Sequence, residues 1–148
     1  MNIHATSKLA ATRELRAKMQ GRVVSWGDDD YARTRRVWNG AVENQPALFA
    51  VCETSADVQA AVRSARQHGF PLSVRGGGHD WAGRALCPDG LVVDLSRMRQ
   101  VIVDPRSRIA TVSGCWRLHW EIDWSLTLEK AVCIRRGSFE LIPHLTSV

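Results

Sequence analysis

Nine consecutive residues, Arg75-Gly76-Gly77-Gly78-His79-Asp80-Trp81-Ala82-Gly83, carry the most chemistry per residue in the chain. Three glycines in a row strip one stretch of backbone of side chains and allow positive φ, so several N–H groups can converge on an anion. A diphosphate suits such a loop. A plain turn is the alternative, because the spacing is neither the Walker pattern nor a G-x-G-x-x-G run opening a helix. Arg75 and Arg84 flank the loop and could add favourable charge. His79, a lone histidine in a loop, reads from its own context as a hydrogen-bonded surface or core residue. Asp80 could orient that ring, polarise the loop or simply shape a turn, and Gly83 ends the loop.

The elements that must position this loop are legible around it. Ala47 to Cys52 is an unbroken apolar run of strand length. Thr54 can cap a following helix with Asp57 in its first turn, Val58, Ala61, Val62 and Ala65 form an apolar stripe, and Gly69 stops it. Pro71 to Arg75 supplies a second short strand, completing a βαβ unit whose two strands are expected to be parallel. Leu91 to Leu95, Val101 to Asp104 and Arg108 to Ser113 read as three further strands, the last two paired as a hairpin across Asp104-Pro105-Arg106-Ser107. The expected class is α+β, a βαβ unit followed by a small mixed sheet.

Upstream, Ser7 to Gln20 reads as a short surface helix ended by Gly21. Asp28, Asp29 and Asp30 suit the acidic, solvated start of another helix better than a metal site, which would need further spaced ligands. Tyr31, Arg35 and Trp38 then share a face at helical spacing.

Composition sets the outer limits. The 148 residues make about one domain, and 45% hydrophobic with 24% charged residues is ordinary globular usage, excluding collagen-like, disordered and membrane-spanning classes. No membrane partner is expected. The net charge of +5 comes from 20 basic residues spread along the chain among 15 acidic ones, so nucleic acid is not an expected partner and an anionic small ligand fits equally well. The four cysteines, Cys52, Cys87, Cys115 and Cys133, lack C-x-x-C spacing, so they read as free thiols with no metal site. Residues 1–20 lack the apolar core of a secretory leader, and a cytoplasmic location is the simplest expectation.

The nine-residue loop resembles the phosphate loop of FAD-linked oxidases, the group with a PCMH-type FAD-binding domain that includes 6-hydroxynicotine oxidase and the berberine bridge enzyme-like proteins. Val37-Trp38-Asn39-Gly40, the strand from Pro46 to Cys52, the helix from Thr54 to Gly69, and Gly90 to Met98 follow in an order similar to that of bacterial members. The resemblance spans roughly Gly21 to Gly114. It implies that Arg75, Gly76, Gly77, Gly78, His79, Asp80 and Gly83 hold FAD, the diphosphate largely through backbone groups, and that His79 is the covalent flavin anchor. The implied organisation is a helical segment over 1–45, the FAD-binding subdomain over 46–114 and a divergent tail over 115–148.

In that tail Trp116, Trp120 and Trp124 recur at helical spacing with Leu128, as a stripe that covers the sheet, as an exposed patch that recruits a partner or supports self-association, or as a frame-shifted or truncated ending with no selected structure. His119 and His144 match no motif, and no catalytic residue is assigned. The expected function is the FAD-binding module of an FAD-linked oxidoreductase, truncated, with a small-molecule substrate engaged only where further regions complete it. The alternative is a cofactor-free truncated domain acting as an interaction module or a non-functional fragment.

Overall fold

A computed structural model describes residues 3–104, 106, 109–112, 131–135 and 138–142. The chain divides into two compact units, residues 1–97 and 98–148.

The first unit is built on a four-stranded sheet in the order β1-β2-β4-β3, formed by β1 (Arg22–Ser25), β2 (Leu48–Val51), β3 (Leu72–Arg75) and β4 (Leu91–Asp94). The apolar run predicted as a strand is β2, with all four residues buried. β2 and β3 are parallel as expected, but they are not neighbours, because β4 lies between them and pairs with both in parallel. β1 runs antiparallel along the other side of β2. A strand buried on both faces reads as continuously apolar, and both β2 and β4 do so up to Asp94.

Within residues 1–45, β1 extends the same sheet as β2. α1 (Ile3–Lys18) was expected at the surface, yet Ala11 and Leu15 are fully buried where it packs on α3 (Ser55–His68). Small side chains on both helices, with Ala61 and Ala65 on α3, allow close approach. The predicted α3 stripe is rotated: Ser64 is fully buried while Val62 is 43% exposed. The buried Ser64 hydroxyl and the His68 ring both reach Glu14 of α1, at 3.5 and 2.9 Å.

The start of α3 follows its sequence signals. Thr54 and Asp57 form a reciprocal capping box, and Gly69 closes the helix in the left-handed conformation. The buried Asp57 carboxylate also accepts from the N–H groups of Gln20 (2.8 Å), Gly21 (3.1 Å) and Glu53 (2.9 Å), tying the end of α1 and the end of β2 to the helix. Burial pushes this carboxyl upward, but the backbone donors outweigh that and hold it below the usual carboxylate range.

α2 (Tyr31–Arg35) has only five residues and turns to extended backbone at Arg36. Trp38 therefore falls beyond it, and the expected shared face fails: Tyr31 is buried while Trp38 is 67% exposed. The Tyr31 hydroxyl donates to the Pro46 carbonyl at 2.7 Å, fixing α2 to the start of β2. Asp30 does not cap α2 with its side chain; it pairs with Arg22 and Arg33.

The second unit holds an antiparallel sheet in the order β5-β6-β8-β7. β5 (Val101–Asp104) and β6 (Ile109–Val112) make the expected hairpin, and Arg106 N–H donates to the Asp104 carboxylate in its turn. β7 (Ala131–Arg135) and β8 (Ser138–Ile142) were not anticipated in the tail. Trp116, Trp120 and Trp124 lie outside the described residues.

Candidate functional site

The parallel strands β2, β3 and β4 end together, with Val51, Arg75 and Asp94 in one row of the register. The glycine loop leaves β3 at this carboxyl end, the position where open α/β sheets receive ligands. Leu95 N–H donates to the Arg75 carbonyl and Cys52 N–H to the Asp94 carbonyl, both at 2.8 Å, so sheet bonding persists to the residue before Gly76.

Arg75 was expected to lend charge to the loop's ligand. Its guanidinium is instead buried, donates to the Asp94 carboxylate and the Thr34 carbonyl, and lies 5.2 Å from the centre of the Phe49 ring. A guanidinium so enclosed anchors the base of the loop rather than reaching across it. Asp94 is equally occupied, with its second oxygen accepting from Ser96 N–H at 2.9 Å. Arg84, at the other end of the loop, is exposed.

Beyond Arg75 the backbone is open. None of the hydrogen bonds among the described residues uses the N–H of Gly76, Gly77 or Gly78. Gly78 adopts φ 70°, and its carbonyl accepts from Trp38 N–H at 3.2 Å. His79 follows, exposed, with its ring stacked against Trp38 at a centroid distance of 6.1 Å and 23° between planes. The Asp80 carboxylate accepts from Ala82 N–H at 3.3 Å and Ala85 N–H at 3.1 Å, which shapes the turn after His79.

Gly83 is confined twice over. Its φ is 72°, and a Cβ there would lie 2.6 Å from Val42. Residues between α2 and β2 lace the loop down: the Asn44 amide donates to the Gly83 and Leu86 carbonyls, both at 3.0 Å, and the Asn39 amide to the Trp81 carbonyl at 2.8 Å. Trp38, Asn44 and Asp94 went unassigned in the sequence reading. A charged residue ending an apolar strand, opposite another ending its neighbour, was the signal available for Asp94.

The nearby Cys52 offers no nucleophile. Burial, with added repulsion from Asp57 and Asp94, pushes its thiol up to about 12. Two surface hollows of 380 and 400 Å³ gather around Asp28 and Asp29, and no loop residue lines either. Among the described residues no three His, Cys, Asp or Glu side chains cluster to hold a metal, and no helix is long and apolar enough to cross a membrane.

An anion held here meets peptide N–H groups presented by side-chain-free backbone at a sheet end, with an imidazole at the rim. The diphosphate of a dinucleotide fits that donor set. Fold and loop together define a PCMH-type FAD-binding domain of the α+β class.

Comparison with known proteins agrees. Residues 46–120 match the family model of the FAD binding domain. The uncharacterized FAD-linked oxidoreductase YgaK of Bacillus subtilis is 32% identical over 99 residues, covering 67% of this chain and 22% of that protein. (R)-6-Hydroxynicotine oxidase of Paenarthrobacter nicotinovorans is 33% identical over 109 residues, covering 74% of this chain and 23% of that protein. The solved structure of wild-type BBE-like 1 from Physcomitrella patens superposes with a TM-score of 0.73 at 28% identity, over 84% of this chain and 27% of that one. The chain belongs to the FAD binding domain family of the FAD-linked oxidoreductases, and its cofactor is FAD. It spans about a fifth of the length of the curated relatives it matches.

Proposed function

We propose that residues 76–78 hold the FAD diphosphate through main-chain N–H groups and that His79 is the covalent anchor of the flavin. The observation carrying this reading is the run of three glycine amides without acceptors among the described residues, set at the carboxyl end of the parallel strands and followed at once by His79. Asp80 and Gly83 keep the loop in shape, and Arg75 secures its base from within the sheet.

FAD supplies hydride acceptance when bound. The role of this chain's residues is to bind and orient it. Attachment would join an imidazole nitrogen of His79 to the 8α-methyl carbon of bound FAD, with the ring N–H and one methyl C–H bond broken; the two protons and two electrons released would pass to an oxidant such as dioxygen, giving hydrogen peroxide. Joined to a substrate-binding part, the domain would serve oxidation of an alcohol, amine or sugar-like substrate.

Purified protein reconstituted with FAD should be yellow, and after acid precipitation the flavin should remain in the pellet. His79→Ala should still bind FAD and release it to the supernatant. A colourless protein that ignores added FAD would remove the loop assignment; a yellow one whose wild-type flavin is wholly acid-soluble would remove only the anchor.

A further inference from the structure

Three tryptophans among the described residues are largely exposed, Trp26, Trp38 and Trp81 at 59, 67 and 71%. Leaving large aromatic surface in water forfeits hydrophobic stabilisation, so its placement invites explanation. Trp38 is held on two sides. Its own N–H is bonded to the Gly78 carbonyl, and the side chain of the next residue, Asn39, spans to the Trp81 carbonyl and accepts from Ala41 N–H. Backbone 38–39 is therefore fastened to residues 78–81, and only the side-chain torsions of Trp38 remain to set where its indole lies.

That indole lies nearly parallel to the His79 imidazole at 6.1 Å between centroids. The separation falls within the range for offset aromatic stacking, which biases a ring between rotamers by about 2- to 12-fold. A neighbour nearly parallel to the imidazole restrains the tilt of its plane, and with it the direction of the in-plane lone pair through which a ring nitrogen attacks. Holding a nucleophile in one attack geometry raises its rate, and loss of that restraint slows reaction without abolishing binding.

We propose that Trp38 is a positioning residue for His79, stacking on its imidazole to fix the ring for bond formation to the flavin; this rests on the reading of His79 as the anchor. The glycine amides bind the diphosphate independently of the stack, so cofactor affinity and attachment rate are expected to separate on substitution.

The test compares full-length wild type, Trp38→Ala, Trp38→Phe and His79→Ala, each produced flavin-free in a riboflavin-auxotrophic host and then mixed with FAD. Acid-insoluble flavin is followed in time, FAD affinity is measured by quenching of flavin fluorescence, and the ring C–H signals of His79 are recorded by NMR before FAD is added. Expected for Trp38→Ala are attachment slowed by about 5-fold or more, affinity changed less than about twofold, and His79 signals moved by loss of the indole ring current. Trp38→Phe should recover most of the rate. Attachment by Trp38→Ala at the wild-type rate, or unmoved His79 signals, overturns the proposal. Wild type that binds FAD but releases all of it to acid overturns the anchor reading, and with it the role of Trp38, a distinct outcome because no variant then differs from wild type in attachment.

Discussion

Arg75 and Asp94 stand opposite one another in the parallel register of β3 and β4 and form a buried ion pair, with the guanidinium beside the Phe49 ring. The pair closes the end of β3 directly before the glycine loop, so the residue from which the loop departs is held by an electrostatic contact enclosed by the core. Removing one partner leaves the other charged and unsolvated.

Asp94→Asn is accordingly expected to cost about 3–5 kcal/mol of stability, read as a lower urea midpoint. Exchange of both residues for apolar ones of similar volume should cost much less. A single substitution that proves as mild as the double exchange would show the pair to be unimportant.

Gly83→Ala meets two penalties. The dihedral contributes about 1–2 kcal/mol, and the crowding against Val42 adds ~1–3 more. Gly78→Ala meets only the first, since its Cβ would come no closer than 3.9 Å to any neighbour. Urea unfolding of both variants should therefore rank Gly83→Ala well below Gly78→Ala.

Asp57 predicts a pH dependence. Its folded pKa lies below the unfolded value of about 3.9, so its contribution is fully present above that value and is lost as pH falls through the lower folded one. Asp28, held down chiefly by the Ser25 N–H, acts in the same direction. Stability should stay level from neutral pH to about pH 5 and then drop. Asp57→Asn replaces an acceptor of several N–H groups by an amide that offers one oxygen, so it should begin about 1–3 kcal/mol lower at neutral pH and fall less steeply in acid.

Cys52 should resist alkylation at pH values where ordinary thiols react, given its burial and a thiol pushed up to about 12. Peptide mapping after iodoacetamide treatment should find the half-buried Cys87 modified before Cys52. Early labelling of Cys52 in folded protein would mean that the end of β2 opens readily.

Local signals carried much of this architecture. The apolar run of β2, the Thr54 and Asp57 cap, the β5–β6 hairpin and the glycine loop all depend on neighbours in sequence. Relationships between distant segments were not legible in the same way. Insertion of β4 between β2 and β3, the packing of α1 on α3 and the turn of α3 that buries Ser64 in place of Val62 are set by tertiary partners. The same holds at the site: Arg75 looked like surface charge because nothing local identified Asp94 and Thr34 as its partners, and Asn44 is distant in sequence from the carbonyls it secures.

The last buried contact and the first open peptide of the loop are consecutive residues, Arg75 and Gly76. Position 79, exposed and three residues farther on, lies outside that enclosed frame. Exposed positions accept replacement at a cost of about 0.5 kcal/mol or less. On the proposed reading of His79 as the anchor, selection could thus exchange that residue, or dispense with it, while the scaffold kept its thermodynamic margin, leaving the mode of cofactor retention free to diverge among descendants of a common domain.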